Sequence, residues 1–178
     1  MKKILISLMA LMMATTSILS AADDSMQVQT IEDKTIHIKG TENGFTIPEY
    51  KGKIVFAEFW GTHCPPCLMS IPHYVELQAK YKDDLAILGV EVQGTKKDTL
   101  KTFVKNKGIN YDVVSYADGI EFVEYVTQRA GWTGAIPFTV ILDPKGDVQI
   151  VQAGMIAQEQ LEKVIEDLIA SNKPKAKK

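Results

Sequence analysis

The chain has 178 residues, of which 46% are hydrophobic and 24% charged, enough for one ordinary domain with a proper core and too few for two of typical size. Twenty Lys and Arg stand against 22 Asp and Glu, a net charge of −2, and the basic residues are scattered, which argues against a nucleic-acid-binding face. Only two cysteines are present, so a pairing between them leaves none for a second disulfide.

Met1-Lys2-Lys3 precedes an apolar stretch from Ile4 to Leu19, and Ser20-Ala21-Ala22 follows before Asp23-Asp24. A basic start, an apolar run and small residues make a secretory signal peptide over 1–22, with cleavage expected after Ala22. The competing reading is an uncleaved membrane anchor, which the run fits less well because it falls short of the roughly 20 apolar residues of a span. Removing the leader leaves about 156 residues, one domain. Residues 23–34 are expected to be a flexible segment, 35–171 the folded domain and 172–178 a basic disordered tail.

Thr35-Ile36-His37-Ile38 alternates like an edge strand, with His37 toward solvent. Glu42-Asn43-Gly44 supplies turn chemistry, and Phe45-Thr46-Ile47 returns as the second strand of a hairpin. Ile54 to Phe59 then reads as a buried strand, rich in β-branched and aromatic residues.

That strand stops at Trp60-Gly61-Thr62-His63-Cys64-Pro65-Pro66-Cys67, where helical spacing begins. The CxxC therefore sits at a strand-to-helix turn. The helix N-terminus offers unpaired NH groups and a partial positive charge, which favour a thiolate at Cys64. Cys67, one turn further in, is more enclosed and suits a resolving thiol. Both prolines fit the first helical turn, where a missing NH has no helical partner. Three plainer readings compete: a structural disulfide, half of a metal site, or two unrelated buried cysteines. A structural disulfide over so short a loop would stabilise least, and the strand, CxxC and helix together favour redox chemistry.

Leu68, Ile71, Val75 and Ala79 predict the buried stripe of the first helix, with a kink at Pro72. Leu85 to Val92 is a second buried strand, 98–107 a helix closed by Gly108, 111–114 a short strand and 121–129 a helix. Phe138 to Leu142, the turn Asp143-Pro144-Lys145-Gly146 and Val148 to Gln152 form an antiparallel hairpin, and Leu161 to Ile169 an amphipathic last helix. The predicted class is α/β: a central mixed sheet with helices on both faces and an N-terminal hairpin extension.

The run Phe59-Trp60-Gly61-Thr62-His63-Cys64-Pro65-Pro66-Cys67, with Pro72 after it and Gly134-Ala135-Ile136-Pro137-Phe138 later, resembles the thioredoxin superfamily, and within it the exported TlpA/ResA-like branch of cytochrome c maturation. The resemblance runs from about Phe45 to Ile169. It implies a thioredoxin fold, Cys64 as attacking thiol, Cys67 as resolving thiol and a cis bond before Pro137. Ile136, Pro137, Trp60 and His63 make up the expected substrate-facing set, Ile136 through its backbone and Trp60 as a packing residue flanking the site that also shields the thiols. Trp132 is expected to pack beside the site.

Two positions depart from the common pattern. His63 stands where the family usually has tryptophan; as a cation it would favour the Cys64 thiolate, while the plainer reading is an exposed residue without effect. Glu58 interrupts an apolar strand. If buried, its carboxyl pKa rises toward neutrality and it can accept the Cys67 proton during resolution; if not, it merely reaches solvent at the strand edge.

The activity implied is that of a periplasmic thiol-disulfide oxidoreductase that reduces exported proteins, apocytochrome c among them. It would be recharged by a membrane thiol protein of the DsbD type, with no cofactor beyond the Cys64/Cys67 disulfide and no bound metal. The alternatives are an oxidant or isomerase of exported thiols, and a metallochaperone holding Cu(I) on Cys64, Cys67 and His63.

Overall fold

The computed structural model describes residues 24–172, so the leader over 1–22 and the basic tail from Lys173 onward lie outside the described residues. At the centre is β4 (Ile54–Trp60), with all seven residues buried. On one side it pairs in parallel with β5 (Leu85–Glu91), which pairs in parallel with β6 (Asp112–Val114). On the other it pairs antiparallel with β7 (Phe138–Leu142), and β7 with β8 (Val148–Ala153). The order β6-β5-β4-β7-β8 is the mixed sheet expected from strands that first alternate with helices and then fold back as a hairpin.

The two faces of the sheet are covered differently. One carries α1 (Pro65–Lys80), α2 (Lys97–Lys107) and α4 (Gln158–Asn172), whose Ile71, Leu77, Leu100, Leu161 and Ile165 pack on Phe56, Ile87 and Ile141. The opposite face takes α3 (Tyr116–Ala130), with Phe122, Val123 and Val126 inward, and a small antiparallel sheet of β1 (Ser25–Gln29), β2 (Thr35–Gly40) and β3 (Phe45–Thr46). Isolated bridges Thr30–Val114 and Gly44–Asp147 tie that small sheet to both sides of the central one.

Within the stretch 23–34 expected to be flexible, residues 25–29 form a strand. Met26 and Val28 alternate with exposed Ser25, Gln27 and Gln29, and their burial against α3 and β2 makes 25–29 a strand. In α1 the fully buried face is Cys67, Ser70, Ile71, Tyr74 and Leu77, whereas Leu68 and Val75 are half-buried and Ala79 is exposed. The predicted stripe is rotated because two polar residues find partners inside: Tyr74 Oη lies 3.0 Å from Thr139 Oγ1, and the Ser70 hydroxyl donates to the Pro66 and Cys67 carbonyls at 3.1 Å. Pro72 lies within the helix without ending it. Helix α3 begins five residues earlier than predicted, because the Ser115 hydroxyl caps the NH of Asp118.

Candidate functional site

The end of β4, the Gly61–His63 turn and the start of α1 deliver both cysteines to one edge of the sheet. Cys64 is the N-cap of α1, in extended conformation, and Cys67 N–H points at its Sγ from 3.3 Å. With Pro65 and Pro66 lacking NH groups, this is the donor that the sequence left for the sulfur. No acidic residue occupies the first turn of α1, so the helix end keeps its positive character. The two sulfurs are bonded as a disulfide, with Cα atoms 5.2 Å apart. Cys64 is 6% exposed and Cys67 not at all, so an incoming sulfur meets Cys64 first.

The loop before β7 faces the pair. Ile136–Pro137 is cis, and the Ile136 carbonyl oxygen lies 3.8 Å from Cys64 Sγ. Ile136 is half-buried and Pro137 buried. Trp132 braces this loop: its Nε1–H donates to the Ala135 carbonyl at 2.7 Å, and its ring stacks on Phe138 with centroids 5.1 Å apart. The packing role expected of Trp132 is thus joined by a hydrogen bond that no sequence signal announced.

Glu58 lies in the middle of β4, opposite Gly89 of β5 and Thr139 of β7. It is fully buried, and neither carboxyl oxygen has a hydrogen-bond partner. The reading of a strand-edge glutamate reaching solvent is excluded. Its neighbours two residues away, Phe56 and Trp60, pack in the same layer as Cys67, Tyr74 and Tyr111, which puts Glu58 beneath α1. Burial without compensation pushes its carboxyl pKa up to about 8. The Tyr74 and Tyr111 hydroxyls are themselves raised, chiefly by burial and then by the Glu58 charge, so all three share one poorly solvated space. Trp60 Nε1 and Tyr111 Oη are also buried without partners, and a Cβ at Gly89 would come within 2.9 Å of the one and 3.1 Å of the Tyr111 ring.

Trp60 does not belong to a substrate-facing set. It is fully buried, its ring tilted against Phe103 at 5.7 Å, because even positions of β4 point under the helices. His63 is exposed at the rim, with Nδ1 2.9 Å from Thr62 Oγ1 and its own N–H donating to Gln93 Oε1 at 2.8 Å. Thr62 in turn touches Thr95, and Thr95 touches Glu91, a second fully buried carboxylate. Sequence reading passed over Glu91, although the available signal was the one that revealed Glu58: an acid in an otherwise apolar strand. Among the described residues no three His, Cys, Asp or Glu side chains are grouped as a metal site would need.

The comparisons agree with the geometry. A family model described as the AhpC/TSA family matches residues 27–151. The thiol-disulfide oxidoreductase ResA of Geobacillus kaustophilus is 31% identical over 132 residues, covering 74% of this chain and 71% of the relative. A solved thiol:disulfide interchange protein of the thioredoxin family from Chlorobium tepidum matches with a TM-score of 0.65 at 23% identity, covering 82% of this chain and 93% of its own. StoA from Bacillus subtilis matches with a TM-score of 0.58 at 20% identity, covering 78% and 94%. At such identities the two structures speak for the thioredoxin-like fold alone.

Proposed function

This chain belongs to the AhpC/TSA family as a thiol-disulfide oxidoreductase of the ResA type, and from that premise we propose that it works outside the cytoplasm as a reductase of protein disulfides. The observation that carries the proposal is Glu58, buried without a partner in the layer that holds Cys67.

In the dithiol form, the Cys64 thiolate attacks one sulfur of a substrate disulfide and displaces the other, which leaves as a thiolate and takes up a proton. Cys67 must then lose its own proton before it can attack Cys64 Sγ and release the second substrate sulfur. A buried thiol cannot pass that proton directly to water, whereas a carboxyl pushed up to about 8 is a base of matched strength. Two electrons move from the dithiol to the substrate, and the Cys64–Cys67 disulfide remains. The Ile136 backbone, beside Cys64 Sγ, offers an extended substrate segment a hydrogen-bonding edge.

The leader read from the sequence over 1–22 supports export, and with it a periplasmic location. Apocytochrome c fits as a substrate because its haem-attachment cysteines must be reduced. A membrane thiol protein of the DsbD type would return the pair to the dithiol after each turnover. No observation favours the copper reading.

The test is the equilibrium reduction potential of the Cys64/Cys67 pair in a thiol redox buffer. A reductase is expected to lie near thioredoxin, at about −270 mV; a value near that of DsbA, about −120 mV, would make the protein an oxidant.

A further inference from the structure

The turn that precedes Cys64 is held by a chain of hydrogen bonds that starts on Glu91. This residue ends β5, is fully buried, and has no salt bridge among the described residues. Its two oxygens meet donors alone. Oε2 accepts the Thr95 N–H at 2.9 Å, while Oε1 accepts the Gln93 N–H at 3.2 Å and the Thr95 hydroxyl at 2.9 Å. Gly94, at φ +76°, makes the left-handed turn that brings both flanking NH groups onto one carboxylate. Beyond it, Thr95 Oγ1 lies 2.8 Å from Thr62 Oγ1, and Thr62 Oγ1 2.9 Å from His63 Nδ1.

With Glu91 accepting at the head of the chain, counting protons gives the direction of every bond that follows. A carboxylate only accepts, so Thr95 uses its single hydroxyl proton on Glu91. Thr62 must then donate to Thr95, and with its own proton committed it can meet His63 only as an acceptor. His63 Nδ1 therefore carries a hydrogen. Its Nε2 has no partner among the described residues and belongs to an exposed side chain. The backbone of His63 is fixed separately by Gln93, whose side chain passes so close over Gly61 that a Cβ there would collide with it.

We infer that Glu91, Thr95 and Thr62 form a positioning relay that holds His63 in its Nδ1–H form, leaving Nε2 to exchange a proton with the sulfur chemistry at Cys64. The inference rests on the reading of Cys64 as the attacking thiol. In the reduced protein Nε2 takes the Cys64 thiol proton, giving a thiolate beside an imidazolium whose Nδ1–H is still accepted by Thr62. When that thiolate displaces a sulfur from the substrate, the imidazolium returns the proton to the leaving sulfur. Because every donor and acceptor in the relay is matched only in this tautomer, a hydroxyl-free residue at 62 should release the ring.

The test has two readouts on the full protein. In the ¹⁵N-labelled disulfide form, in alkaline buffer where the ring is neutral, His63 is expected to show Nδ1 protonated and Nε2 bare, the reverse of the tautomer that free histidine prefers. Thr62→Val should restore the ordinary tautomer and slow alkylation of Cys64 in the reduced protein roughly fivefold, the size of effect of one neutral hydrogen bond. Thr62→Ser, which keeps the hydroxyl, should recover both. A wild-type His63 protonated on Nε2 would overturn the relay, and an alkylation rate unchanged in Thr62→Val would overturn its action on Cys64. The tautomer is read without any turnover, so an oxidant's potential would refute the reductase reading and leave this result standing.

Discussion

Glu58 and Glu91 sit on neighbouring strands, both fully buried, yet they are treated in opposite ways. Glu58 has no hydrogen-bond partner and its pKa is pushed up to about 8; Glu91 accepts three hydrogen bonds, from Thr95 N, Thr95 Oγ1 and Gln93 N. A buried carboxyl left without donors is held ready to keep or lose a proton, whereas one supplied with donors has its oxygens satisfied and organises the groups around it. The first lies under Cys67 and the second behind His63, so each suits the cysteine it serves: a resolving thiol that must lose a proton in a dry interior, and an attacking thiol at the rim whose neighbour must point one way.

The largest effect that would separate the two is on stability. Below about pH 4.5 the folded and unfolded chains both hold the Glu58 proton. Between that and about pH 8 the unfolded chain has lost it and the folded one has not, so stability falls as pH rises, by up to about 5 kcal/mol. Glu58→Leu is therefore expected to unfold at higher urea than the parent at pH 8, with the gap closing toward pH 4.5. A gap that does not change with pH would remove the strained carboxyl from the account. The effect of Glu91→Leu should be smaller and opposite in sign: three donors lose their acceptor, at a cost of about 3 kcal/mol in the same urea titration. If both substitutions stabilised, the contrast between the two acids would be false.

Much of this site was legible in the sequence because its determinants are local. A strand of six apolar residues interrupted by one acid, and a CxxC with prolines suited to a first helical turn, each carry their meaning within a few residues, while the cis Ile136-Pro137 bond was expected only from the family resemblance. What was lost depended on partners distant in the chain. Tyr74 and Ser70 could be placed in the core only by knowing that Thr139 and the carbonyls of α1 would satisfy them, and without them the buried face of α1 was assigned one row away. Strand β1 was hidden because Met26 and Val28 are two apolar residues among polar ones, and their burial comes from α3, nearly a hundred positions later. Trp60 was read as packing beside the site, as it does, but its place in the substrate-facing set overlooked the alternation with Phe56 and Glu58 that points it under the helices. The Thr62–Thr95 contact joins two turns that only the parallel pairing of β4 with β5 brings together.

The most direct test of the account is the pH dependence of mixed-disulfide resolution, followed as Cys67 releases a model thiol from Cys64 in the parent and in Glu58→Gln. The parent rate is expected to rise through an inflection near 8, set by Glu58, and the variant to be at least about tenfold slower at neutral pH with its inflection moved up to that of the Cys67 thiol alone. Superimposable profiles would contradict the claim that Glu58 takes the Cys67 proton.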